Sequence, residues 1–359
     1  LGRERSKGLR PGSGGVGATA RPRDLVYDAL EFRGPERAPR DLWLLPWAEV
    51  NHPGWVRRIQ ADFPADILNA KGLLKASPRT KGAQYEAGTY TDEWGCRFTN
   101  LERGFIGQVK EPLVVGEDWE DLDKVRLPKE HLDIDRARVA GLVKGTDLFV
   151  LATEYIPRPF ERLQFLRGSE RLLLDIAMRP PGLFEAIRRV HEFDLRVFES
   201  WAETDVDGLM MMDDWGSQSG LLVSPSAWSE LFEPLYRDHV AVARKHGKKL
   251  FMHSDGNVLR ILPRLVGMGI DALNLQLFCM DFSQLAAFKG KVTFWGEIDR
   301  QQILPNGTLE EVDAAVARVR EHFWENGGCI AQCEFGPGAR PENVYRVFEA
   351  WDRPLPRAP

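Results

Sequence analysis

The chain is expected to form an α/β fold, a closed TIM (β/α)8 barrel, and three observations predict it. Short apolar runs recur from about residue 147 onward: "LFVLATEY" (148–155), "GLMMMDDWG" (208–216), "KLFMHSDG" (249–256), "DALNLQ" (271–276), "KVTFWGEID" (291–299) and "GCIAQCEFG" (328–336). Helical segments separate them, and strands alternating with helices imply parallel pairing through right-handed crossovers. Each run also ends in polar residues, which a barrel would gather on the C-terminal face of its strands. No G-x-G-x-x-G follows the first strand, so a dinucleotide-binding sheet loses ground and an open doubly wound sheet stays as the alternative.

Taken in chain order, residues 1–24 are rich in Gly and Arg without an apolar stretch, and are expected to be a disordered leader or a remnant. Residues 25–359 are expected to form a single barrel domain. "DLWLLPW" (41–47) reads as the first strand, and a mixed, turn-rich stretch containing "YTDEWGCRF" (90–98) follows. Ser224-Pro225 starts a helix with a capping hydroxyl and a proline in the first turn, and its stripe is Trp228, Leu231, Phe232 and Leu235 up to Gly247. Thr308 with Glu311 is a capping box, ahead of an apolar face of Val312, Ala315, Val316, Val319 and Phe323.

With 43% hydrophobic and 28% charged residues the chain has material for a sizeable core. Its net charge of -5 carries no basic stripe, which argues against nucleic acid as a partner. No run of about 18 apolar residues suggests a membrane span. The four cysteines, Cys96, Cys279, Cys329 and Cys333, are scattered without a disulfide framework, so reduced thiols in a cytoplasmic protein are expected.

The stretch "LFMHSDGN" (250–257) carries the most chemistry. Residues i and i+2 of a strand face the same way, so His253 and Asp255 would point together from one strand end. Barrel closure would add Glu154, Tyr155, Asp213, Asp214, Asn274, Gln276, Glu297, Asp299, Cys333 and Glu334 from other strand ends. His253, Asp255 and Cys333 form a candidate three-ligand metal site, with zinc or another divalent ion expected, because imidazole, carboxylate and thiolate are all zinc ligands. The plainer alternative has His253 and Asp255 satisfying loop backbone groups and Cys333 as a buried thiol. Asp213-Asp214 is a candidate acid/base pair of which strand alternation admits one member, and Asp214 and Glu297 are the candidate catalytic residues. Glu297 is also a candidate fourth ligand or a group orienting His253. Lys248, Lys249 and Arg300 are read as surface charge, with contact to a substrate carboxylate as the alternative.

The stretch "MMDDWGSQSGLLVSPSAWSELFEPLYRDHVAVARKHGKKLFMHSDGNV", with "GEID" and "CEFGPGARPENV", resembles the uroporphyrinogen decarboxylase superfamily, which includes cobalamin-dependent methyltransferases. The likeness runs from about residue 140 to the end, with "YTDEWG" and "ERAPRDLWLLP" fitting before it. The resemblance implies a TIM barrel. In the methyltransferase branch zinc is held by His-x-Cys and a distant Cys, which implies His253 and Cys333 here, with Asp255 where the branch has its middle cysteine. The decarboxylase branch has an Arg-rich segment after the first strand, where this chain reads "LLPWAEVNHPGW", and a tyrosine where this chain has Phe165.

The resemblance therefore implies a metal-dependent methyltransferase or demethylase that moves a methyl group between a small methylated substrate and a corrinoid on a partner protein. A carboxy-lyase and a tetrapyrrole-binding barrel are the alternatives. A homodimer is the expected assembly.

Overall fold

The computed structural model describes residues 20–353. The first two parallel strands are β1 (Arg40–Leu44) and β2 (Ile67–Ala70). An antiparallel sheet of β3 (Gly88–Thr91), β4 (Arg97–Asn100) and β5 (Gln108–Val109) follows. The parallel set resumes with β6 (Phe149–Ala152), β7 (Gly208–Met212), β8 (Lys249–Ser254), β9 (Ala272–Leu275), β10 (Thr293–Trp295) and β11 (Cys329–Phe335). Their hydrogen-bonded order is β1-β11-β10-β9-β8-β7-β6-β2, a TIM barrel with one seam between β1 and β2. Asp66 bridges that seam at its N-terminal end. Its N–H donates to the Arg40 carbonyl at 2.8 Å, and its carboxylate accepts from the Arg40 N–H at 2.6 Å and from Arg37.

Side chains alternate between the two faces of each strand. Ile67, Phe149, Leu151, Met210, Phe251, Trp295 and Ile330 form an inner cluster, packed with Val26 and Leu30 of the helix Pro22–Leu30. That helix closes the N-terminal end of the barrel: Arg23 donates to the carbonyls of Val143, Thr146 and Leu148, and the Ala29 carbonyl accepts from the Gly328 N–H. The expected leader of residues 1–24 lies outside the described residues up to 19, and from Pro22 the chain is helix. The opposite strand faces, with Leu209, Met211, Met252, Leu273, Ala331 and Cys333, belong to the larger outer cluster against the helices.

The capping box at Thr308 is present and the apolar face from Val312 to Phe323 is buried. Ser224 caps its helix as expected, accepting from the Ala227 N–H at 3.1 Å. One continuous helix to Gly247 was expected, but two form, Pro225–Leu231 and Glu233–Lys245. Pro234 has no N–H to continue the ladder, so the chain breaks at Phe232 while the stripe stays buried. Among the described residues, no helix is long and apolar enough to cross a membrane.

Candidate active site

Strand phase decides which polar residues enter the barrel mouth. In β7, Met210 packs inside and Met211 outside, so Asp213 continues the outer face and Asp214 the inner one. Asp213 is fully buried behind the strand, where it accepts the N–H groups of Phe160 (3.2 Å) and Glu161 (2.9 Å) and the Tyr236 hydroxyl (2.7 Å). It anchors the first turn of the helix Pro159–Arg167, and burial pushes its pKa well above the usual carboxylate range. Asp214 faces the mouth.

In β8 the same alternation turns Phe251 and His253 inward. His253 Nδ1 lies 2.6 Å from Asn274 Oδ1, and the Asn274 amide N–H in turn donates to the Trp295 carbonyl. Asn274 is therefore oriented with its oxygen toward the imidazole, and Nδ1 carries the hydrogen. In the neutral ring this leaves Nε2 with a bare lone pair. Nε2 sits 3.5 Å from Asp214 Oδ1 and 3.4 Å from Asp255 Oδ1. The three ligand atoms of Asp214, His253 and Asp255 all lie within 4.8 Å of one another.

The group fits a divalent ion. Two ligands about 2.1 Å from a tetrahedral ion lie roughly 3.4 Å apart, which is the separation His253 keeps from each carboxylate. Asp255 Oδ1 is buried and without a hydrogen-bond partner, while Oδ2 of the same carboxylate is held by Arg300. An orphaned acceptor beside a bare imidazole nitrogen is a costly arrangement unless a cation fills it.

Arg300 is not a surface charge: its guanidinium sits among three carboxylates of the chain itself. Beyond Asp255 it bonds Glu334 at 2.9 Å and lies 3.5 Å from Glu297. Burial raises the pKa of Glu297 well above the carboxylate range, with Arg300 opposing and Glu334 adding to the rise. Glu334 is raised in the same sense, again by burial first. Glu161 is raised by burial against the counter-effect of Arg158, which lies 3.6 Å away. Lys248 and Lys249 are at the start of β8, at the other end of the barrel, where Lys248 donates to the Thr204 and Val206 carbonyls.

The structure places Cys333, the expected third ligand, apart from the group of Asp214, His253 and Asp255. In β11, Ile330 packs inside while Ala331, Cys333 and Phe335 pack outside, so the thiol is buried in the outer layer and Glu334 takes the inward position. Burial raises the thiol's pKa further, which disfavours a thiolate. Asp214, expected as an acid/base, is what joins His253 and Asp255. Phe165 packs against Phe98 with ring centroids 5.1 Å apart, on the helix Pro159–Arg167.

Two contributors went unread in the sequence. Trp43 of β1 packs on the His253 ring at 5.0 Å, and its indole N–H donates to Asp41 at 3.0 Å. Asn274 stood among the strand-end polar groups, but its part in orienting His253 needs the register His253 to Asn274 across β8 and β9. Beside the group lies a cavity of about 240 Å³ at the ends of β9 and β10, with Gln218, Gln276, Phe278, Glu297, Asp299 and Arg300 in its lining.

A barrel whose strand ends converge on one polar mouth is an enzyme scaffold. The uroporphyrinogen decarboxylase (URO-D) family model matches residues 93–353, and the chain belongs to that family. Among solved structures it is similar to a methyltransferase from Methanosarcina mazei, at 13% identity and a TM-score of 0.65, covering 92% of this chain and 98% of that one. At that identity the likeness concerns the fold. An intracellular xylanase from Thermoanaerobacterium saccharolyticum matches at 10% identity and a TM-score of 0.38, over 86% of this chain and 88% of that one. No curated protein matches the chain in sequence.

Proposed function

We propose that this chain is a metal-dependent methyltransferase or demethylase, moving a methyl group between a small molecule and a corrinoid carried by a partner protein. The observation that carries the reading is the convergence of His253 Nε2, Asp214 and Asp255 Oδ1 on one point at the barrel mouth. The structural neighbour named as a methyltransferase supports it as fold kinship. One nitrogen and two oxygens suit zinc, and equally manganese or iron(II), since no thiolate enters the set. When bound there, the ion supplies Lewis acidity toward the heteroatom that carries or receives the methyl group.

The chain's own residues do the rest. Asn274 holds the His253 ring with Nε2 outward. Arg300 holds Asp255 by Oδ2 and so aims Oδ1 at the group. Trp43 packs against the His253 ring and supports its position. Glu297 is buried in the wall of the cavity, where burial raises its pKa and favours the protonated form, and it serves as the acid for the departing heteroatom. With Asp214 in the metal group, the acid/base role falls to Glu297 alone.

The test uses zinc- or manganese-loaded protein, cob(I)alamin and a panel of methyl ethers, methylated amines and thioethers. The expected result is conversion of the cob(I)alamin spectrum to that of methylcob(III)alamin with at least one class of donor. Glu297→Gln should lower kcat by about 100-fold or more while metal content is unchanged. Metal-loaded wild-type protein that leaves every donor and the cobalamin spectrum unchanged overturns the reading.

A further inference from the structure

The cavity beside the metal-capable group has a lining that selects among methylated molecules. Gln276 is almost wholly buried, and its Oε1 accepts from the Gly256 N–H at 3.2 Å and from Gln218 Nε2 at 2.9 Å. The Gly256 donor settles which end of the amide is oxygen. The Gln276 Nε2 hydrogens then have no acceptor among the described residues. Across the cavity, Asp299 Oδ1 accepts the N–H groups of Gln301 and Gln302, both at 2.9 Å, and this pins those two residues to the wall. Glu297 is 3% exposed and its Oε1 has no hydrogen-bond partner. Leu277 and Phe278 supply an apolar patch in the same lining.

The lining therefore offers amide donors, amide and carboxyl acceptors, and one small hydrocarbon surface. An anionic ligand finds no free cation there, because Arg300 is taken up by Asp255, Glu334 and Glu297. A quaternary ammonium ion such as choline or an aryl ether such as guaiacol brings a single hydroxyl and would leave most of the amide groups buried and unpaired, at a cost of about 1–3 kcal/mol per group. Vicinal hydroxyls match the mixture, since each donates once and accepts, and the C–H face of a ring matches Phe278.

We infer that this cavity is a binding pocket for a neutral polyhydroxylated molecule, so that the small methylated substrate is a methyl ether of a sugar or polyol. This rests on the methyl-transfer reading only for the word "substrate". The pocket's preference stands on its lining. Arg300 links the two places, lining the cavity while it bonds Asp255, so a hydroxylated body in the cavity puts its methoxy group next to the metal-capable group.

The experiment is calorimetric titration of the metal-loaded full chain with 3-O-methylglucose, methyl α-glucopyranoside, choline and guaiacol, without any corrinoid. Saturable binding of at least one sugar ether, with choline and guaiacol weaker, is the expected result. Gln276→Ala should weaken it roughly 3- to 10-fold, the equivalent of one hydrogen bond, at unchanged metal content. Gln301→Ala, an exposed position that leaves the fold intact, should act in the same direction and guards against a misfolded Gln276 variant. No sugar-ether binding, a preference for choline or guaiacol, or binding indifferent to both substitutions in folded protein overturns the inference. Sugar binding without methyl transfer keeps the pocket and removes the proposed reaction, so the two failures are distinguishable.

Discussion

The inner and outer faces of the same strands treat neighbouring residues in opposite ways. Asp213 and Asp214 are adjacent, yet Asp213 spends its oxygens on two backbone N–H groups and a tyrosine, while Asp214 stands with His253 and Asp255. Cys333 and Glu334 repeat the contrast on β11, with the thiol in the outer hydrophobic layer and the carboxylate on Arg300. On the outer face polar groups are buried and satisfied and so support the fold. On the inner face Asp255 Oδ1 is left without a partner beside His253, and that deficit is what a ligand can meet.

The largest expected effect separates the two aspartates. Asp213→Ala leaves two N–H groups and a hydroxyl without their acceptor in a dry place, and should cost about 3 kcal/mol or more, read as a lowered denaturant midpoint. Asp214→Ala should lower that midpoint less, because it removes one acceptor only, that of the Asp255 N–H, at a half-buried position facing the mouth. Similar losses for both would erase the distinction between the faces.

Next in size is Asp255. Asp255→Ala should lower affinity for the divalent ion by about 100-fold or more, read by competition with a chromophoric chelator, with the barrel still folded. Asp255→Cys should restore binding and tilt it toward zinc, since thiolate is the softer ligand. Unchanged affinity in Asp255→Ala would remove it from the ligand set. Cys333→Ala comes below that: a small loss of packing, about 1 kcal/mol, with metal affinity unchanged. A metal loss in Cys333→Ala would put the thiol back in the site.

Confined to a narrower range of conditions is a pH dependence inside the barrel. Asp41 is buried and accepts from the indole N–H groups of Trp43 and Trp295, and burial raises its pKa to about 6. The unfolded value is about 3.9, so between these pH values the folded state binds more protons than the unfolded one. Asp41 therefore favours the folded state most below about pH 4, and this contribution declines as pH rises through 6, by about 3 kcal/mol. Asp41→Asn should flatten that part of the profile of midpoint against pH. An unchanged profile would mean that Asp41 is not the group responsible.

The six strands from β6 to β11 were legible because each is an apolar run ending in polar residues. β2 was not, since "ILNA" is four residues long with Asn69 exposed beside the seam, and such a run carries no clear period. Strands β3 to β5 were hidden in the turn-rich stretch for the same reason, being short and largely exposed. His253 and Asp255 were readable from their spacing alone. Cys333 follows the family pattern in sequence, but the phase of its strand turns it away from the mouth. Gln332 and Glu334 share the inward phase with Ile330, whereas Cys329, Ala331, Cys333 and Phe335 share the other. The roles of Asn274, Trp43 and Arg300 depend on pairing across strands and loops, which spacing along one strand does not encode.

The central claim is that His253, Asp214 and Asp255 hold a divalent ion, and elemental analysis of protein purified without chelator tests it most directly. The account predicts about one divalent ion per chain in the wild type and little in a folded His253→Ala variant, whose imidazole ligand is gone. Metal-free wild-type protein that takes up no zinc, manganese or iron(II) on titration, or full occupancy in His253→Ala, would contradict it.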